Sequence, residues 1–170
     1  MKNPILSSLR ARRVTATIIL AIAATFIFSQ FVPAASWSGI EPLKSRRADV
    51  ERILGKPIED KPGSDGTLRF NVAGGKVTVA FIDARFVAAK KLQPELEGTV
   101  RQIVLQHANS NDTPESLNIA SNSKFERQDG AGNITIYRNL KDGIAYTFYN
   151  GKLKDSYFTP SQEDWTKAQK

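Results

Sequence analysis

The 170-residue chain contains no cysteine, which excludes disulfides, thiolate metal sites, a cysteine nucleophile and a lipid carried on an N-terminal cysteine. Its folded part must hold together by packing alone. Histidine occurs once, as His107, so a site built from several histidines is excluded and any Ser-His-Asp relay has to run through that residue. Ser110 and Asp112 lie near it in sequence, but no Gly-x-Ser-x-Gly turn is present to expose a nucleophile. A surface histidine at a strand end is the plainer reading. Asp60, Asp65, Asp129 and Asp142 lie close to Gly or Pro, as turn residues do, and none fits the spaced acidic loop that binds calcium.

Charge of one sign is also scarce where it would matter. The formal charge is +7, but Lys2, Arg10, Arg12 and Arg13 supply four of those positives, and the remainder carries only +3. With acids and bases interspersed, no basic stripe marks a nucleic-acid surface, and no nucleic-acid partner is expected.

Those four basic residues precede an apolar run, and no acidic residue occurs before Glu41. The pattern predicts an export segment over residues 1–36. Small residues at Val32-Pro33-Ala34-Ala35-Ser36 allow cleavage after Ala34 or Ser36. The run from Val14 to Pro33 is also long enough to cross a hydrocarbon core of ~30 Å uncleaved, with the basic end kept cytoplasmic. Either outcome places residues 37–170 outside the cytoplasm, periplasmic or secreted, and membrane contact is expected only through residues 1–36. Arg12-Arg13 lacks the flanking residues of a twin-arginine signal.

Residues 37–170 have the length of one ordinary domain. Ser45 is expected to cap a helix over 46–54, stopped by Gly55 and Pro57. The segment 59–66 reads as a loop. Leu68, Phe70 and Val72, then Val77, Val79 and Phe81, alternate as a hairpin across Ala73-Gly74-Gly75, and a further strand follows over 99–106. Residues 109–123 read as a loop holding one helical turn, with Asp112 or Thr113 as cap and Pro114 opening it. Residues 125–128 and 134–137 form a second hairpin. Ile144, Tyr146 and Phe148 run into Asn150-Gly151, a favoured type I′ turn. Leu153, Asp155 and Tyr157 are expected to continue that apolar face, with Lys152, Lys154 and Ser156 on the wet one. Thr159, Pro160 and Gln162 read as the capping box of a short last helix. The order predicts an α+β fold, an antiparallel sheet with short helices packed on one face.

The stretch Gly39-Ile40-Glu41-Pro42-Leu43-Lys44-Ser45-Arg46-Arg47-Ala48-Asp49-Val50-Glu51-Arg52-Ile53-Leu54-Gly55-Lys56-Pro57 resembles the helix opening of small exported SmpA/OmlA domains, the outer-membrane assembly lipoprotein type. Trp37, Gly39, Ile40, Pro42 and Leu43 also match an uncharacterised group of exported bacterial proteins opening with Trp-x-Gly-Ile-x-Pro-Leu. The resemblance implies a helix ending at Gly-x-Pro before an antiparallel hairpin, and a scaffold or binding role outside the cytoplasm. The chain departs from the lipoprotein type in having no cysteine to carry the lipid.

The remaining candidates have plain structural readings. The pairs Glu95/Glu97 and Glu163/Asp164 suit acid–base work in principle, but each lies in a polar, solvated stretch. Gly74-Gly75-Lys76 joins two strands and lacks the helix of a phosphate loop. Lys90-Lys91 and Lys152/Lys154 read as solvated faces. Tyr137, Tyr146, Tyr149, Tyr157 and Trp165 could form a recognition patch, although aromatics at strand spacing usually fill cores. No catalytic, metal or cofactor residue is assigned. The expected function is a non-catalytic extracytoplasmic module binding an envelope or extracellular protein, through the sheet face or the 109–123 loop. The alternative is a small-ligand binder or hydrolase-like enzyme.

Overall fold

The computed structural model describes residues 35–61 and 66–170. The expected leader lies outside these residues apart from Ala35 and Ser36, as does Asp65. The described elements run α1 (Arg47–Leu54), β1 (Glu59–Lys61), β2 (Thr67–Val72), β3 (Gly75–Phe81), α2 (Ala84–Lys90) and a 3-10 turn (Pro94–Leu96). They continue with β4 (Val100–His107), β5 (Glu126–Asp129), β6 (Ile134–Asn139), β7 (Ile144–Tyr149), β8 (Lys152–Phe158) and α3 (Gln162–Ala168). The eight strands form one antiparallel sheet in the order β1-β2-β3-β4-β8-β7-β6-β5. This is the α+β fold that the order of elements predicts.

Two sequential strand runs, β1–β4 and β5–β8, are joined where β4 pairs with β8 through Ile103 and Phe158, Val104 and Tyr157, Leu105 and Ser156, and Gln106 and Asp155. The 109–123 segment connects the two runs. It contains the expected turn, in which the Thr113 hydroxyl accepts from the Ser116 N–H at 3.2 Å and the Ser116 hydroxyl from the Thr113 N–H at 2.9 Å.

One face of the sheet is covered. Over β2–β4, the α1 residues Val50, Ile53 and Leu54, with Ile40 and Trp37, pack on Leu68, Phe70, Val77, Val79 and Ile103. Over β6–β8 the same face is covered by Leu117 and Ile119 of the connecting segment, which pack on Tyr137, Phe148 and Leu153. The loop thus does for one half what a helix does for the other. A third apolar cluster, Ile82, Leu92 and Ala168 with Leu43, Phe86, Val87 and Trp165, unites α2 and α3. These helices follow β3 and β8, so they attach to one end of the sheet.

Several local expectations are corrected. The α1 cap is Arg46, whose N–H donates to the Asp49 carboxylate at 3.0 Å. Ser45 instead accepts from the Glu41 N–H at 2.9 Å and closes the turn before the helix. Residues 59–61 are an edge strand, because Glu59 and Asp60 pair with Arg69 and Leu68 despite their polar sequence. Helix α2 was not legible as a separate element; the Asp83 carboxylate caps it, accepting from the Phe86 N–H at 2.6 Å. The box of α3 is Ser161 with Asp164, two residues beyond the expected start at Thr159. There the Ser161 hydroxyl accepts from the Asp164 N–H at 3.0 Å, and Asp164 accepts from the Ser161 N–H at 3.1 Å.

The largest correction concerns β8. Phe148 pairs with Leu153, but Thr147 pairs with Asp155, so Lys154 is an extra residue at a bulge. A one-residue insertion reverses which face each later side chain takes. Leu153 therefore joins the covered face and so does Ser156, whereas Asp155 and Tyr157 turn to the opposite face with Thr147 and Ala145.

Gly75 permits the close approach of β4, since a Cβ there would lie 1.9 Å from the Gln106 carbonyl oxygen. Gly75→Ala is expected to lose about 2–3 kcal/mol of stability through overpacking against backbone, read as a lowered urea midpoint. Ser161→Ala, which removes a helix cap, is expected to lose about 1 kcal/mol in the same assay.

Candidate functional site

The opposite face of the sheet, uncovered by any other of the described residues, divides in two. On β2 and β3 it presents Thr67, Arg69, Asn71, Lys76 and Thr78, a polar surface fastened by Arg69, which donates to Glu59 at 2.9 Å and to the Thr78 hydroxyl at 3.3 Å. From β4 outward the same face carries an apolar group of five, with Val104, Tyr157 and Ala145 on the ladder that ends at Arg138, Ile136 opposite Thr147 and Ile134 opposite Tyr149, while Gln106 and Asp155 stand among them. None of these five belongs to any of the three apolar clusters. Of the four large hydrophobic residues exposed among the described residues, Ile134 (36%) and Tyr149 (53%) lie on this half of the face, and Leu140 (66%) follows β6 at its rim.

An open groove of about 290 Å³ lies in the apolar half, lined by residues that include Ile136, Leu140, Ala145, Thr147 and Tyr157. Arg138 is the one charged side chain in its lining. Its direct neighbour on β5 is Glu126, yet among the described residues no ion pair holds the Arg138 guanidinium. Asp155 lies outside the lining, paired across strands with Thr147 on the same face. Burial pushes its carboxyl above the usual range, against the lowering effects of Lys154 and His107.

A second cavity, about 370 Å³ and polar, lies at the other end of β4 and β8 and is lined by His107, Ser110, Asn111, Lys152 and Lys154 among others. The His107 Nε2 lies 2.9 Å from the Ser156 hydroxyl, on the covered face of the sheet. This is a Ser-His contact without a usable nucleophile. Ser156 is only 3% exposed and sits in mid-strand, so its hydroxyl needs an internal partner, which His107 supplies. Ser110 bonds instead to Asp112 at 2.8 Å, and no contact brings it to the histidine.

The other sequence candidates have structural tasks. The backbone carbonyls of Glu95 and Glu97 accept from the Arg46 guanidinium at 2.8 and 2.9 Å. Asp164 caps α3, and Glu163 pairs with Lys167 at 2.5 Å. Asp60 pairs with Arg47, Asp129 with Arg127, and Asp142 closes a turn with Asn139. Gly74 is a turn residue at φ +82° and Lys91 the left-handed end of α2. Lys152 donates to Asn111 at 3.0 Å. Tyr137 meets Phe148 edge-on at 5.7 Å, Tyr146 lies 5.9 Å from Phe125, and Trp165 lies 5.8 Å from Phe86. Only Tyr149 and Tyr157 of the aromatic set reach the uncovered face. Among the described residues, no three acidic or histidine side chains assemble as a metal site.

No family profile matches the chain, and no curated protein matches it. Its fold is similar to the crystal structure of a DUF4309 family protein, YjgB, from Bacillus subtilis, at a TM-score of 0.50 and 11% identity. The alignment covers 75% of this chain and 88% of that one. At such identity the likeness concerns the fold alone.

Burial lowers the His107 pKa below the ordinary 6.5, outweighing the raising effects of Asp112 and Asp155. With the folded value below the unfolded one, the unfolded chain takes the proton first as pH falls. Stability from this residue is therefore intact above pH 6.5 and declines through and below it, towards the lowered folded pKa. His107→Gln is expected to flatten the dependence of the urea midpoint on pH in that window. An unchanged slope would show that His107 is not the group responsible.

Proposed function

We propose that this chain is a non-catalytic extracytoplasmic module that binds an envelope or extracellular protein through the apolar half of its uncovered sheet face. The observation that carries the proposal is the group Val104, Ile134, Ile136, Ala145 and Tyr157, which stands on that face among Thr147, Asp155 and Arg138 and has no counterpart beside Thr67, Arg69, Asn71, Lys76 and Thr78. An apolar surface that none of the described elements covers is a common mark of an interaction site. The resemblance of residues 39–57 to the SmpA/OmlA opening, and the basic-then-apolar leader, support a binding role outside the cytoplasm.

The short edge strands direct the contact to the face. β5 is Glu126-Arg127-Gln128-Asp129, exposed at all four positions, and β1 begins Glu59-Asp60. Charged, short edges discourage strand addition. The hydrolase alternative has weaker support, because its one serine–histidine contact is committed to the sheet interior.

A photo-crosslinking amino acid placed at Ile136 in the full chain is expected to capture one reproducible extracytoplasmic protein in cells, whereas the same group at Thr78 captures none. Equal labelling from both positions, or none from Ile136, would overturn the proposal. Ile136 is half-buried in mid-strand, so Ile136→Asp should abolish capture from a crosslinker at Thr147 at a stability cost of about 1 kcal/mol, the span of strand propensity, and Ile136→Thr should weaken capture while keeping the β-branch.

A further inference from the structure

Resting on that binding role, we infer that the groove takes an extended segment of the partner that presents an apolar side chain and, two residues away, an Asp or Glu side chain to Arg138. Size supports the apolar half of this motif. Sites for small organic ligands generally run from roughly 300 to 1,000 Å³, and this open groove, at about 290 Å³, lies at the lower limit. It suits one anchoring side chain over the Ile136, Ala145 and Tyr157 floor better than an enclosed small molecule.

Charge supports the acidic half. Arg138 is the sole charged residue in the lining, is exposed, and has no ion pair or hydrogen bond among the described residues. Elsewhere on the same face Arg69 is held by Glu59 and Thr78, and on β5 Arg127 is held by Asp129. The Glu126 carboxylate neighbouring Arg138 makes no ion pair with it, which leaves the guanidinium fork available for bidentate capture of a carboxylate. In an extended segment, alternate side chains point the same way about 7 Å apart. The anchor and the acid must therefore be an even number of positions apart to meet the one face together, and two is the shortest such spacing.

The test is selection from a display library of random short peptide segments on the immobilised full chain in mild detergent, repeated on Arg138→Glu. Wild-type protein is expected to enrich segments with Leu, Ile, Phe, Tyr or Trp two positions from Asp or Glu, by roughly tenfold over their Lys counterparts, the scale of one partly desolvated charge pair. Arg138→Glu should reverse the preference towards Lys or Arg at that position and keep the apolar anchor. No enrichment, or the same acidic preference in Arg138→Glu, would overturn the inference. The two readings separate in cells. Loss of crosslinking from Ile136 defeats the binding face itself, whereas crosslinking that persists undiminished in Arg138→Glu defeats only the acidic specificity.

Discussion

The pairing of β4 with β8 is the contact on which the rest of the molecule depends. Each run of strands, β1–β4 and β5–β8, is a meander of near neighbours that the chain can form locally. The eight-stranded sheet exists because residues some fifty positions apart, Leu105 and Ser156 among them, align in register. Bringing them together requires closing a long loop, and the entropy lost is offset by burial of Ile103, which is fully enclosed, and of Leu105 and Phe158 packed in the same cluster. The Ser156 hydroxyl that this pairing buries finds its partner in His107 of β4 itself, so the seam supplies its own polar satisfaction.

The seam also determines which surface is left for function. One face is closed by α1 on one side and by the 109–123 segment on the other, with Ile119 and Leu117 playing the part of a helix stripe. Among the described residues, the opposite face receives no such cover in the β6–β8 half. Its apolar character there depends on the bulge at Lys154, which turns Tyr157 outward beside Ala145 and Val104 and draws Ser156 inward. With regular alternation from Leu153, Tyr157 would lie in the core and the groove beside Arg138 would lose part of its floor. A single inserted residue thus couples core packing to the character of the candidate binding face.

Much of the fold was legible because local physics fixes it. Leu68, Phe70, Val77 and Val79 alternate with polar residues and pack as that alternation demands. Asn150 and Gly151 adopt φ of +50° and +73°, as the type I′ turn requires. Gly55 ends α1 at φ +81°. The misses share a different cause. Edge strand β1 has no apolar period because one edge of it pairs and both its readable side chains, Glu59 and Asp60, form ion pairs. Helix α2 is short, and its apolar residues Phe86 and Val87 find their partner, Trp165, near the far end of the chain. The candidate groove was less legible still. Tyr157 was visible as an aromatic, but Arg138, Ala145 and Ile136 carry no motif and meet only through pairing across three strands.

By itself, the sequence determined the α+β class, the main hairpins, the connecting turn at Thr113 and the absence of any thiol chemistry, because each follows from residue type or from periodicity over a few positions. Tertiary structure decided the order of strands, the side to which β8 turns its residues, the burial of Ser156 against His107, and the groove beside Arg138, which has no ion pair among the described residues. Those features depend on register between distant segments, and register is settled by which long-range pairing buries the most apolar surface without leaving a polar group unmatched.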